Sequence, residues 1–90
     1  MAQDYKIYVE VLAAFKKEGL LLPREIIWED GRRFPVDKVL DLRPAAAQKA
    51  GGQGDRYTIM VCGRLSFLFF ERSTTLSGNN LGRWFVEKRN

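Results

Sequence analysis

The segment Tyr5-Lys6-Ile7-Tyr8-Val9-Glu10-Val11-Leu12-Ala13-Ala14-Phe15-Lys16 decides the fold class. Its odd positions (Tyr5, Ile7, Val9, Val11, Ala13, Phe15) are wholly apolar, and its even positions (Lys6, Tyr8, Glu10, Leu12, Ala14, Lys16) are mixed. Period two with one apolar side is the pattern of a strand buried on one face. Tyr5, Tyr8, Val9, Leu12 and Phe15 also fit helical spacing, but the β-branched Ile7, Val9 and Val11 favour the strand.

Working outward, the same pattern recurs. Lys17-Glu18-Gly19 reads as a turn, and a second strand over Arg24–Trp28 is entered at Pro23. Asp30-Gly31 between apolar runs is a strong short-range hairpin signal. The third strand, Arg33–Leu42, loses its alternation at Asp37-Lys38, which predicts a bulge and hence a bend. Pro44-Ala45-Ala46-Ala47-Gln48-Lys49-Ala50 followed by Gly51-Gly52 predicts a short helix over 44–50, with proline at its start and glycine at its end. Arg56–Cys62 and Leu65–Glu71 read as strands joined by a turn at Gly63-Arg64. Both are apolar on two faces, as suits the centre of a sheet or a covered one. Ser73–Gly82 reads as an exposed loop, and Arg83–Lys88 is the last strand. The fold expected is mainly β: a small barrel or strongly bent sheet of five to six antiparallel strands with one short helix. It occupies residues 1–90 as a single β-rich domain.

Composition supports a packed domain, since 46% of the 90 residues are hydrophobic and 12% aromatic. The start carries no basic region followed by an apolar block, so no signal peptide is read. The longest apolar runs, Ile59–Cys62 and Phe67–Phe70, are too short to cross a bilayer as a helix. One cysteine cannot form an internal disulfide. Together these place the chain in the cytoplasm. The net charge is +4 but uneven. Residues 1–30 hold four basic and six acidic side chains; residues 31–90 hold eleven and five. A basic half can steer anionic partners, or serve only as a solvated surface.

The chemistry-bearing residues are few. The sequence has no histidine, which removes the usual general base near neutral pH and the commonest metal ligand. Cys62 reads as a small buried hydrophobe. Asp37, Asp41 and Glu71 each lie near a basic residue in sequence, so ion pairing accounts for them as well as acid–base chemistry does. Gly51-Gly52-Gln53-Gly54 reads as a flexible connection; a phosphate nest there would lack the lysine-serine ending of a phosphate loop. The chain is therefore expected to be non-enzymatic and without a cofactor.

What remains is basic residues beside aromatics. Arg32 and Arg33 lie near Trp28 and Phe34, Arg56 beside Tyr57, and Arg83 beside Trp84 and Phe85. Small barrels hold single-stranded nucleic acid by stacking bases on rings and pairing phosphates with guanidinium groups. The interface expected on this basis comprises Arg32, Arg33, Arg43, Lys49, Arg56, Tyr57, Arg83 and Trp84. They come from the Asp30-Gly31 hairpin, the connection over 43–56 and the last strand. Trp28, Phe67 and Phe69 are expected in the core and Tyr8 on the surface, while Tyr57 and Trp84 are open between the two roles. The competing expectation is a protein-interaction or regulatory adaptor, since a small barrel can offer a sheet edge or an aromatic groove to a peptide. Convergence of the arginines on one face around exposed rings would favour nucleic acid; scatter among carboxylates would favour the adaptor.

The runs Ile27–Arg32, Val39–Arg43, Gly51–Tyr57, Phe69–Glu71 and Arg83–Glu87 resemble a family of short uncharacterised proteins of Gram-positive, largely anaerobic bacteria. The likeness covers nearly the whole chain. It implies no activity, and no functional residue is carried over from it.

Overall fold

The computed structural model describes residues 4–46, 53–73 and 78–89. The opening segment is a strand, β1 (Asp4–Phe15), with Val9 and Val11 packed on the interior and Tyr8 and Leu12 exposed. It is followed by β2 (Leu21–Ile27), β3 (Arg33–Ala46), β4 (Gln53–Val61), β5 (Arg64–Arg72) and β6 (Gly82–Arg89). Every pairing is antiparallel, and the order β1-β2-β3-β4-β5-β6 closes on itself as a barrel. Closure works by sharing β1 between two neighbours. Its first half pairs with β6, from Asp4↔Arg89 to Val9↔Trp84, and its second half with β2, from Glu10↔Ile27 to Phe15↔Leu21. Such stagger is what a closed sheet requires, and closure removes the exposed edges of an open sheet.

Three register slips bend the wall. The β3–β4 register slips between Val36 and Lys38 and again between Val39 and Asp41, leaving Asp37 and Leu40 as extra residues. The first slip is the bulge expected at Asp37-Lys38. The β1–β2 register slips where Leu12↔Glu25 is followed by Ala13↔Pro23, which leaves Arg24 unpaired. Pro23, which has no N–H to give, thus sits beside a bulge inside β2 and is buried.

The interior is built from Ile26, Tyr57, Ile59, Leu68 and Phe70, with Phe34, Val36, Val39, Leu42, Trp84 and Val86 packed against them. The Tyr57 hydroxyl donates to the Leu21 carbonyl at 2.5 Å, which satisfies its polar end. Burial pushes that phenol up to about 12.

Several expectations are corrected. The helix over 44–50 does not form in its described part: Pro44, Ala45 and Ala46 extend β3 and pair with Asp55, Gly54 and Gln53. Alanine's helix preference is a few tenths of a kcal/mol per residue, and a strand partner outweighs it. Residues 47–50 lie outside the described residues. Gly54, read as part of a flexible connection, belongs to β4. Cys62 is exposed rather than buried. Val61↔Arg64 closes the β4–β5 hairpin, so its two-residue turn is Cys62-Gly63, with φ of 52° and 74°. Two consecutive positive φ values mark a type I′ turn, whose twist suits a tight hairpin.

Phe67 and Phe69 also change places with their neighbours. Leu68 and Phe70 face the interior, while Phe67 is 46% exposed. Alternation alone could not choose between two apolar faces of one strand. The ladder with β4 decides it, because Tyr57↔Leu68 and Ile59↔Ser66 set one phase of β5 on the same side as the core of β4.

Candidate nucleic-acid interface

Because side chains alternate across a strand, the residues between the core positions form a continuous outer face. One row crosses five strands: Tyr8 lies opposite Phe85, Phe85 opposite Phe69, Phe69 opposite Arg56, and Arg56 opposite Arg43. Phe67 lies on β5 beside this row, opposite Thr58.

At the centre of the row is Phe85, only 2% exposed although it points away from the core. Phe69 stacks on it at 5.0 Å and 6°, Tyr8 meets it edge-on at 5.8 Å, and Lys6 Nζ sits 4.7 Å from its centroid. Around this base two rings stay open, Tyr8 at 41% and Phe67 at 46% exposure. Each carries a cation. Arg83 lies 4.0 Å from the Tyr8 centroid and Arg56 lies 5.1 Å from that of Phe67. Cation–π contacts of this kind hold a guanidinium against a ring.

Glu71 organises one end of the face. It accepts from Lys6 Nζ at 2.5 Å, from the Tyr8 hydroxyl at 3.2 and 3.3 Å, and from Arg83 Nη2 at 3.2 Å. The hydrogen bond from Lys6 is the main reason the Glu71 carboxyl is held below its ordinary value of 4.5. The same bond raises Lys6 above 10.5. Glu71 is therefore an anchored carboxylate at neutral pH, not a proton donor. Asp41, the other carboxylate considered for chemistry, accepts from Arg43 Nε at 2.7 Å. Among the described residues no group of three or more acidic or cysteine side chains is placed to hold a metal ion.

This network has a pH signature. A carboxyl depressed by folding contributes stability that is complete above its unfolded value and is lost as pH falls below about 4.5. A raised lysine contributes in the opposite sense, and loses its share only above 10.5. Glu71→Gln is expected to be less stable than wild type at pH 7 and to lose less on acidification. Urea unfolding at pH 7, 4 and 3 checks this; two parallel acid limbs would refute it.

The residues expected at the interface divide into four groups. Arg43, Arg56 and Arg83 share the outer face with Tyr8, Phe67, Phe69 and Phe85. Arg32 and Arg33 lie on the β2–β3 hairpin, where they pair with Asp30 at 2.6 Å and Glu25 at 2.7 Å. Arg32 also borders an apolar pocket of about 240 Å³ lined by Trp28, Phe34 and Val86, which reaches Phe67. Tyr57 and Trp84 face inward: Tyr57 is 2% exposed, and Trp84 packs on Tyr57 at 5.2 Å and Phe70 at 5.0 Å. Neither ring lies on the outer face, so neither is available there for stacking. Lys49 lies outside the described residues. The aromatic side chains of the outer face leave a signal in the sequence that immediate adjacency misses. Lys6 and Tyr8, Phe69 and Glu71, and Arg83 and Phe85 each place a charged and an aromatic residue two apart, hence on one face.

No helix among the described residues is long and apolar enough to cross a membrane. No protein-family model, no curated protein and no solved structure matches the chain.

Proposed function

We propose that the protein is a non-catalytic, cytoplasmic binding module whose outer face, centred on Phe85, holds single-stranded nucleic acid. The observation that supports this most directly is the pairing of open rings with guanidinium groups on one wall: Arg83 on Tyr8 and Arg56 on Phe67. Every base has a π-face, so such a wall takes strands of any sequence, with about 1–3 kcal/mol per stacked base. The rigid barrel beneath it supplies a platform that need not be ordered on binding. No activity is assigned by the family resemblance, and the reading rests on this geometry.

An adaptor for another protein is the second reading. It draws on Leu40 and Leu65, exposed at 50% and 58%, and on the carboxylates that hold Arg32 and Arg33.

The two are separated by titrating labelled random DNA and RNA oligonucleotides, followed by anisotropy at several salt concentrations. Nucleic-acid binding is expected to weaken as salt rises, by about 0.7 logarithmic units per decade for each phosphate neutralised. No binding at tens of micromolar protein and low salt would end this reading and leave the adaptor.

A further inference from the structure

We infer that Arg43 and Arg56, directly opposite each other on β3 and β4, form a subsite for a backbone phosphate of the bound strand. The inference rests on the nucleic-acid reading and names what that face contributes beyond its rings.

The register sets two guanidinium-bearing side chains face to face on the outer wall. Like charges directly opposite on neighbouring strands destabilise a sheet, so the pair runs against the local rule. Deviations of this kind concentrate at functional sites. The surroundings do not neutralise it. Arg43 Nε donates to Asp41 Oδ2 at 2.7 Å, so one carboxylate stands against two cations. Arg56 has no ion pair among the described residues, and its Nε is buried without an acceptor. By contrast Arg83, on the same face, is paired with Glu71.

The geometry also fits the ligand. Phe67 orients the Arg56 guanidinium by lying against it at 5.1 Å, and a planar fork matches two phosphate oxygens at once. Phe69 separates this cationic end of the row from Phe85 and Tyr8. A strand crossing the wall thus meets the open ring of Tyr8 at one end and the pair of forks at the other, with the open ring of Phe67 beside them. Alternating base and backbone contacts are how single strands are held.

The test uses the full chain and a labelled random single-stranded oligonucleotide. Arg43→Gln with Arg56→Gln is expected to weaken binding at least tenfold at low salt and to flatten the salt slope by about 0.7 for each phosphate that is no longer neutralised. Arg56→Lys keeps the charge but not the fork, so it should retain most of the slope while binding more weakly. Arg43→Gln alone should melt no lower than wild type at low salt, which separates a binding role from a structural one. Inorganic phosphate at matched ionic strength is expected to compete only at millimolar levels. Competition at micromolar phosphate would identify the free anion as the ligand and overturn the assignment. An unchanged slope in the double variant, with the wild type binding, would overturn the subsite alone. Failure of the wild type to bind any oligonucleotide would instead remove the function on which it rests.

Discussion

Leu68→Ala is expected to lower the unfolding free energy by about 2–5 kcal/mol, whereas Phe67→Ala, one residue away, should change it by no more than about 1 kcal/mol. Leu68 is fully buried against Tyr57 and Ile59, so truncation leaves a cavity that the close-packed wall cannot collapse. Phe67 is 46% exposed and rests on the outer face. Binding should invert the order. Phe67→Ala removes a stacking ring worth about 1–3 kcal/mol, five- to more than a hundredfold in affinity. Leu68→Ala leaves the affinity of the folded fraction near wild type. A small domain has roughly 5–15 kcal/mol to lose, so urea unfolding resolves the first difference and oligonucleotide titration the second. A larger stability loss at Phe67 than at Leu68 would mean that β5 is set in the opposite phase, and the outer-face site would go with it.

The second large effect is at Gly54. A Cβ there would collide with the Phe70 carbonyl oxygen and crowd the Glu71 Cα at 3.2 Å, both backbone atoms of the paired strand β5. On the other side of β5, a Cβ at Gly82 would meet the Glu71 carbonyl oxygen. The two glycines let the wall coil tightly where Phe70 turns inward and Glu71 outward. Overpacking in a close-packed site costs about 1–3 kcal/mol, and more where backbone must move. Gly54→Ala should therefore lie at or above the top of that range. Gly31→Ala, in open space at a φ of +90°, should cost about 1–2 kcal/mol from backbone conformation alone. The two are told apart by thermal melts in the presence of oligonucleotide. Gly54→Ala disturbs the strand carrying Glu71 and should also weaken binding, while Gly31→Ala should not. A Gly54→Ala protein as stable as wild type would contradict the packing described.

Sequence alone determined the class of the fold and most of its strands. In Tyr5–Lys16, a wholly apolar odd phase with β-branched residues marks a strand, and its middle, Val9 and Val11, packs on the interior while Tyr5 and Phe15 at its ends stay exposed. Asp30-Gly31 likewise marked its hairpin through local backbone preference, and the broken phase at Asp37-Lys38 marked its bulge. Only the tertiary structure decided which way a strand faces when both sides are apolar. Leu68 and Phe70 could have exchanged with Phe67 and Phe69 until the ladder with β4 selected one phase. It also decided that Pro44–Ala46 is strand, because pairing with Asp55, Gly54 and Gln53 outweighs the small helix preference of alanine. The candidate site was legible in part. Arg43, Arg56 and Arg83 carried a charge signal, but sequence adjacency tied Arg56 to Tyr57 and Arg83 to Trp84. In a strand the immediate neighbours point to opposite faces, so those rings went to the core. The partners of the arginines came instead from other strands, through hydrogen-bonded registers that are long-range and leave no local mark on the chain.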